Sequence, residues 1–178
     1  MKITEPLVTQ NLVLQTLEKV DIGENYLAWL NDPEINRYLE IRFSCPVNMN
    51  DLEKFVEQIN ASENNLMLGV FHKENGHHIG NVKLGPVQTD HKRADLGFLI
   101  GDKACWGNGY ASEAIVSICQ LGFEKLGLKK ITAGCYQNNI GSLKALIKSG
   151  FEQEAILKSQ SICDGQRVNS LLFGMLAK

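Results

Sequence analysis

The stretch "WGNGYASEA", residues 106–114, places two glycines directly ahead of residues that favour a helix. Glycine loses more conformational freedom on folding than any other residue, so this pair predicts an unusual backbone dihedral or a close approach to the main chain. The first N–H groups of a helix lack backbone partners, and the positive end of the helix dipole attracts negative charge. The stretch therefore favours an anion-binding turn, and a tight turn without a ligand is the alternative.

Two established phosphate-binding patterns do not fit this stretch. The phosphate loop of nucleoside triphosphatases needs a lysine after its second glycine, and this stretch has none. The dinucleotide pattern needs a further glycine where the chain has Ser112, and it opens a βαβ unit, whereas this stretch follows a hairpin.

The composition is that of an ordinary globular protein. Of the 178 residues, 44% are hydrophobic and 21% are charged, and the formal net charge is -2. This length predicts one domain over residues 1–178. The near-neutral charge argues against nucleic-acid binding through a basic face. The first residues lack the apolar run of a signal peptide, and no stretch predicts a membrane span, so we expect a cytoplasmic protein.

The cysteines and histidines predict neither disulfides nor a metal site. The five cysteines are Cys45, Cys105, Cys119, Cys135 and Cys163. They include no C-x-x-C pair, which favours reduced thiols. His77 and His78 follow the turn signal "ENG" and are expected at a hairpin tip. His72 and His91 lack metal-ligand spacing to any Cys, Asp or Glu.

The first third of the chain predicts one strand and several helices. A strand-prone run begins at Leu12, and apolar residues at helical spacing predict a helix over 22–30. A second short helix is expected after Pro33, and a third begins at a cap formed by Asn48 or Asn50. The apolar stripe of the third helix consists of Leu52, Phe55, Val56 and Ile59.

The remaining two thirds alternate between strands and helices. Two strand-prone runs joined by "ENG" predict a hairpin, and "RADLGFLIG" predicts the next strand. A long helix is expected over 110–126, followed by a strand, a short helix ending near Gly150 and two strands around "DGQ". This order predicts an α/β (α+β) domain in which helices flank a mixed central sheet of six to seven strands.

Taken with a second motif, the glycine stretch resembles the acetyl-CoA signature of the GNAT acetyltransferase superfamily. That signature reads Q/R-x-x-G-x-G/A, and this chain has "WGNGYA" at 106–111, followed by Glu113. The second motif is Asn139-x-x-Ser142, with "SGF" at 149–151. The combination, together with "NDPEINRYL" near the start, is similar to the RimJ/RimL-type branch of ribosomal-protein N-terminal acetyltransferases. The long run "HIGNVKLG" through "GYASEA" is also similar to acetyltransferases that act on nucleotide-linked amino sugars.

The resemblance implies that acetyl-CoA is the co-substrate, and the spacing of the histidines and cysteines argues against a metal. In this family, main-chain N–H groups of the glycine turn hold the diphosphate, and the strand before the turn lies beside the thioester. The implied cofactor-binding residues are Phe98, Leu99, Ile100, Trp106, Gly107, Asn108, Gly109, Tyr110, Ala111, Ser112, Asn139 and Ser142. Ordinary helix capping is the alternative for the last two.

The resemblance also suggests how the transfer is catalysed. Acetyl transfer to an amine needs a neutral amine, donors for the oxyanion and a proton for the departing thiolate. Asp95 lies two residues before Gly97, where related sequences often carry Glu, and is the candidate base. A solvated carboxylate beside Arg93 is the alternative. Tyr136 and Ser142 compete as the proton donor.

The acceptor is expected to lie against the amino-terminal helices and the terminal strands. Arg37, Tyr38 and Phe43 are the residues that would line it, whereas Trp29 is expected in the core. The preferred acceptor is a primary amine of a small molecule or amino sugar, and a protein amino terminus is the alternative. An acyl-CoA-binding module without catalysis is the third hypothesis, and the resemblance leaves a homodimer open.

Two departures from the RimJ/RimL-type pattern concern the acceptor. Residues 11–15 read "NLVLQ" where that branch usually has an R-L-x-L-R-like strand. Asn169 stands where the last strand often carries an aspartate. Both lie outside the acetyl-CoA signature, so the acceptor is less determined than the acetyl donor.

Overall fold

The amino-terminal half contributes three α-helices to the structure, a computed structural model that describes residues 1–44 and 47–178. They are α1 (Glu24–Asn31), α2 (Pro33–Asn36) and α3 (Met49–Ala61). Pro33 opens α2 behind Asp32, whose side chain accepts a hydrogen bond from the Glu34 N–H. Asn48 caps α3 by accepting from the Asp51 N–H at 3.0 Å. These helices and the Asn48 cap confirm the predictions from the sequence.

Two further helices lie in the carboxyl-terminal half. They are α4 (Tyr110–Glu124) and α5 (Ile140–Lys148). The first helix follows the glycine stretch, as predicted, and ends two residues earlier than expected. The second ends before Gly150, whose φ of 93° lies in the left-handed region that glycine favours after a helix.

The strands form one sheet in the order β1-β2-β3-β4-β5-β6-β8-β7. The strands are β1 (Leu7–Val8), β2 (Leu12–Thr16), β3 (Leu66–His72), β4 (His78–Leu84), β5 (Arg93–Ile100), β6 (Lys130–Tyr136), β7 (Glu152–Cys163) and β8 (Gln166–Leu176). β5 and β6 pair in parallel, and the other neighbours are antiparallel. The described residues thus form eight strands, where the sequence predicted six to seven. The additional strand is β1, whose two residues are too few to show an alternating pattern.

The two faces of the sheet carry different hydrophobic clusters. One face packs against α4 and α5 through residues such as Leu68, Ile115 and Phe173, each fully buried. The other face packs against the amino-terminal helices, and Trp29 is buried there, as expected. Because side chains alternate along a strand, β2, β3 and β5 contribute residues to both layers.

Two sequence predictions about side-chain positions are wrong. His78 is not at the hairpin tip, because it begins β4 and its ring stacks on Phe71 at 4.9 Å between centroids. Burial lowers the pKa of His78, and hydrogen bonds to Asn81 and Gly80 oppose that shift. Phe55 is 43% exposed and not part of the buried stripe of α3. The buried residues of α3 are Leu52 and Val56.

Glu113 connects the first turn of α4 to the amino-terminal strands. Its carboxylate accepts hydrogen bonds from Thr9 Oγ1 at 2.6 Å, from the Asn11 N–H at 2.7 Å and from Asn11 Nδ2 at 2.9 Å. Burial raises the pKa of Glu113, but the hydrogen bonds from Asn11, Thr9 and Leu12 outweigh it and leave a lowered pKa. This acidic residue of the glycine motif therefore has a structural role.

We expect Glu113→Gln to destabilise the fold by about 2 kcal/mol at pH 7, because charge-assisted hydrogen bonds to two residues are weakened. Since the folded pKa lies below the ordinary value of 4.5, this stabilisation is present above pH 4.5 and is lost as the pH falls through the folded pKa. Urea unfolding of both proteins from pH 7 to pH 3 measures the difference. A difference that stays constant over that range would contradict the assignment.

Candidate active site

The glycine stretch forms a left-handed turn at the amino end of α4. Gly107 and Gly109 have φ values of 80° and 84°, a region that other residues adopt only with strain. Gly109 is the N-cap of α4, and no side chain caps the helix at that residue. Among residues 1–44 and 47–178, no atom lies within 4 Å of the position that a Cβ of Gly107 would occupy. The turn therefore exposes helix N–H groups beside open space, an arrangement that suits an anion.

Trp106 attaches the turn to the end of β5. Its indole Nε1 donates a hydrogen bond to the Ile100 carbonyl at 2.8 Å. Before it, the Asp102 side chain accepts from the Ala104 N–H at 2.9 Å and caps a short helical turn. These two hydrogen bonds fix the position of the glycine turn relative to the end of β5. Asn108 Nδ2 donates to the Ala104 carbonyl at 3.4 Å and stays on the outside of the turn.

β5 and β6 separate beside this turn. Their parallel pairing runs from Arg93 opposite Lys130 to Leu96 opposite Ala133 and does not continue among the described residues beyond that pair. Residues 97–100 of β5 and 134–136 of β6 extend past it. Two neighbouring strands that separate leave main-chain groups without ladder partners on both sides of the gap.

The antiparallel register of β4 identifies which groups of β5 face this gap. Gly85 N–H donates to the Asp95 carbonyl, and Gly101 N–H donates to the Ile79 carbonyl, so the odd-numbered residues of β5 bond to β4. The N–H groups of Phe98 and Ile100 therefore point towards β6. The N–H of Leu99 points towards β4, so this residue can contribute its side chain but not its amide.

The second motif forms the cap of α5. Asn139 is the N-cap residue, and its Oδ1 accepts from the Ser142 N–H at 3.1 Å. Helix capping therefore accounts for Asn139 Oδ1 and for the Ser142 N–H. The Asn139 side-chain nitrogen and the Ser142 hydroxyl take no part in this cap. Ser142 is half-buried in the first turn of the helix.

Asp95 lies at the closed end of the gap. It is paired with Thr132 across the two strands, and the Thr132 hydroxyl donates a hydrogen bond to its carboxylate. Arg93 Nη1 lies 3.8 Å from the same carboxylate oxygen, and the Asp95 side chain is 52% exposed. The carboxylate is therefore solvated and partly neutralised, and it lies where β5 and β6 are still paired.

Tyr136 is at the open end of the gap, on the same face as Asp95, because Thr132 and Tyr136 are an even number of residues apart. Its hydroxyl donates to Glu40 Oε1 at 2.7 Å and accepts from Arg42 Nη2 at 2.9 Å. Arg42 also donates to the Ile162 carbonyl at 2.9 Å. Residues after α2 thus hold the phenol between a carboxylate and a guanidinium.

Sequence reasoning missed Glu40 and Arg42. No local pattern distinguishes them, because they meet Tyr136 across 96 and 94 residues of chain. The expected acceptor residues lie in the same segment. Tyr38 donates to the Asn138 carbonyl at 3.1 Å, Arg37 pairs with Asp164, and Phe43 is 66% exposed. The amino-terminal segment therefore meets both β6 and the β7–β8 turn.

An apolar cavity of about 420 Å³ lies beneath the same segment. Leu39 and Ile41, the neighbours of Glu40 in the chain, line it together with Tyr26 and Met67. This volume is within the range of small-molecule pockets.

The remaining cysteines and histidines show no nucleophile or metal centre in the described part of the chain. Burial raises the pKa of Cys119 to about 12 and that of Cys135 to about 11, which disfavours the reactive thiolate. Cys105, Cys119, Cys135 and Cys163 are free thiols, and Cys45 lies outside the described residues. No group of His, Cys, Asp and Glu residues in 1–44 and 47–178 could hold a metal ion.

A glycine turn at the start of a helix, preceded by a strand that separates from its parallel neighbour, is an arrangement that suits an anionic ligand. The acetyltransferase (GNAT) domain model matches residues 11–152. The chain therefore belongs to the GNAT acetyltransferase family and is an acyltransferase.

The similar proteins agree with this membership. The N-acetyltransferase p20 of Bacillus licheniformis is 26% identical over 98% of this chain and 97% of its own. A ribosomal L7/L12 alpha-N-protein acetyltransferase in complex with coenzyme A has a TM-score of 0.85 at 15% identity, covering 97% and 98% of the two chains. The spermidine N-acetyltransferase of Vibrio cholerae, in complex with coenzyme A and spermine, has a TM-score of 0.82 at 21% identity over 94% and 96%. These structures share the fold while their acceptors differ.

No helix within residues 1–44 and 47–178 combines the length and the apolar character that crossing a membrane requires.

Proposed function

We propose that this protein transfers the acetyl group of acetyl-CoA to a primary amine of a small molecule, such as an amino sugar. The observation that carries the proposal is the continuity of the turn and the gap: the glycine turn before α4 is hydrogen-bonded through Trp106 to the end of β5, the strand that borders the opening towards β6. Acetyltransferase neighbours with this fold were solved with coenzyme A or acetyl-CoA. The proposed site residues are those of the acetyl-CoA signature, together with Asn139 and Ser142.

Each part of the site has a proposed task. The turn amides hold the diphosphate, because they carry the positive end of the α4 dipole. The N–H groups of Phe98 and Ile100 face the thioester and its oxyanion, which need aligned donors. Holding the two reactants in contact can supply about 7–11 kcal/mol of the barrier reduction.

Proton transfer is proposed to use two groups on the acceptor face. Asp95 removes the proton of the amine through water, and Tyr136 gives a proton to the departing thiolate. The Arg42 hydrogen bond stabilises the phenolate that Tyr136 becomes in doing so. Ser142 is the alternative donor, although its aliphatic hydroxyl is a weaker acid than a phenol.

We expect Asp95→Asn to lower kcat/KM roughly tenfold and to remove the acidic limb of its pH profile, since the base acts through water and is partly exposed. Kinetics of both proteins from pH 5 to pH 9 with one active amine measure this. An acidic limb that is unchanged in the variant would exclude Asp95 as the base.

A protein amino terminus is the second candidate acceptor, favoured by the fold shared with the ribosomal L7/L12 acetyltransferase. The cavity lined by Leu39 and Ile41 supports the small-molecule acceptor, because it suits a metabolite better than an extended peptide. A binding module without catalysis is the third candidate.

A thiol-release assay with acetyl-CoA distinguishes the three candidates. Free amines, amino sugars and short peptides are the acceptors, and the melting temperature is measured with and without coenzyme A. Turnover with amines or sugars supports the proposal, and turnover with peptides alone contradicts it. A rise in melting temperature without any thiol release indicates the binding module.

The location and the oligomeric state of the protein are two further proposals. The free thiols among the described residues support a cytoplasmic location. A homodimer is the proposed alternative to a monomer, and sedimentation tests it.

A further inference from the structure

We propose that Lys148 is a phosphate-binding residue, whose ammonium pairs with the diphosphate of the thioester carrier at the glycine turn. The inference rests on the proposed function, because it takes the turn to be the site of that diphosphate. Neither the acetyl-CoA signature nor the second motif contains Lys148, which lies six residues after Ser142.

The position of the side chain is the first support. Lys148 Nζ lies 3.2 Å from the point that a Cβ of Gly109 would occupy, so the ammonium stands beside the N-cap of α4. The equivalent position above Gly107 is open. An anion seated on the turn would therefore contact helix amides on one side and the ammonium on another.

Buried serines fix the backbone from which the Lys148 side chain extends. Ser149, the next residue, lies with its Oγ 2.8 Å from the Ala145 carbonyl and 3.4 Å from the Ser112 carbonyl. Ser112 Oγ in turn donates to the Ala145 carbonyl at 3.3 Å. Both serines are 8% exposed, so the end of α5 is joined to the beginning of α4 by buried hydrogen bonds. The backbone position of Lys148 relative to the glycine turn is thus fixed by the fold.

The electrostatics provide the second support. Within residues 1–44 and 47–178, the Lys148 ammonium has no hydrogen bond and no ion pair, whereas Lys103 pairs with Asp32 and Lys130 pairs with Glu154. The carboxyl end of α5 favours a cation at Lys148, but the amino end of α4 opposes it. A bound anion removes that repulsion and supplies the missing partner.

We expect Lys148→Gln to weaken binding of coenzyme A about tenfold in calorimetric titrations, because one charge-assisted hydrogen bond is lost. The affinity of the same variant for dephospho-coenzyme A, which keeps the diphosphate, is expected to fall by the same factor. Lys148→Arg keeps the charge and should stay within about threefold of the original protein. The affinity of the Gln variant should also fall less steeply as salt is added.

Lys125→Gln is the matched control, because it removes the same charge at the other end of α4, about 22 Å away. It should bind like the original protein. If the original protein binds no coenzyme A, the proposed function fails and the inference with it. If the original protein binds and Lys148→Gln binds equally well, the inference alone is overturned. A loss seen with coenzyme A but not with dephospho-coenzyme A also overturns it, since the ammonium would then contact the 3′-phosphate.

Discussion

Gly109→Val is expected to lower the affinity for coenzyme A by at least about 100-fold. Gly109 has a φ of 84°, where a β-branched residue is strained, so the N-cap would turn its amides away from the ligand. Each charge-assisted hydrogen bond from an amide to the diphosphate contributes about 1.5–3 kcal/mol, and the loss of two accounts for the expected factor. Calorimetric titration with coenzyme A measures the affinity.

Gly127→Val separates this effect from backbone strain alone. Gly127 also has a positive φ, 65°, and no atom of the described residues lies within 4 Å of its Cβ position. It follows the other end of α4. This variant should lose similar stability, about 1–2 kcal/mol, but keep its affinity for coenzyme A. If Gly109→Val binds as well as Gly127→Val does, the turn does not hold the diphosphate.

Tyr136→Phe is expected to lower kcat about 100-fold while the affinity for coenzyme A stays unchanged. The substitution removes only the hydroxyl, and the ring keeps its edge contact with Tyr38 at 6.0 Å. Loss of a positioned proton donor typically lowers the rate by a factor of about 10²–10⁴. The remaining rate enhancement comes from holding the amine and the thioester together, which the substitution does not change. Steady-state kinetics with the best amine from the thiol-release assay measure kcat.

Glu40→Gln is the comparison that assigns the effect to the phenol. Its amide oxygen can still accept the Tyr136 hydrogen bond, so the hydroxyl keeps its orientation while the charge is lost. This variant should retain kcat within about fivefold. A kcat as low as that of Tyr136→Phe would make Glu40 the reacting group, and an unchanged kcat in Tyr136→Phe would exclude the phenol.

Features encoded by short sequence patterns were predictable. The Asn48 cap, the turn at "ENG" and the glycine turn before α4 depend on residues within a few positions of each other. The resemblance added the acetyl-CoA signature, which occupies one contiguous stretch. Family membership and the order of helices and strands were therefore accessible from the sequence.

Features that depend on distant parts of the chain were not predictable. The contacts of Tyr136 with Glu40 and Arg42 join segments more than 90 residues apart, and Lys148 reaches Gly109 only because two helix ends meet. His78 shows a second limit, since it lies one residue beyond His77, at the half-buried first position of β4. Which amides of β5 face the gap follows from strand register, which one sequence does not specify.

The most direct test of this account is a crystal structure of the protein with coenzyme A. We predict that the diphosphate lies on the main-chain amides of Gly107–Ser112 and that the pantetheine arm enters the gap beside Phe98. Coenzyme A bound elsewhere, with the turn and the gap vacant, would contradict it.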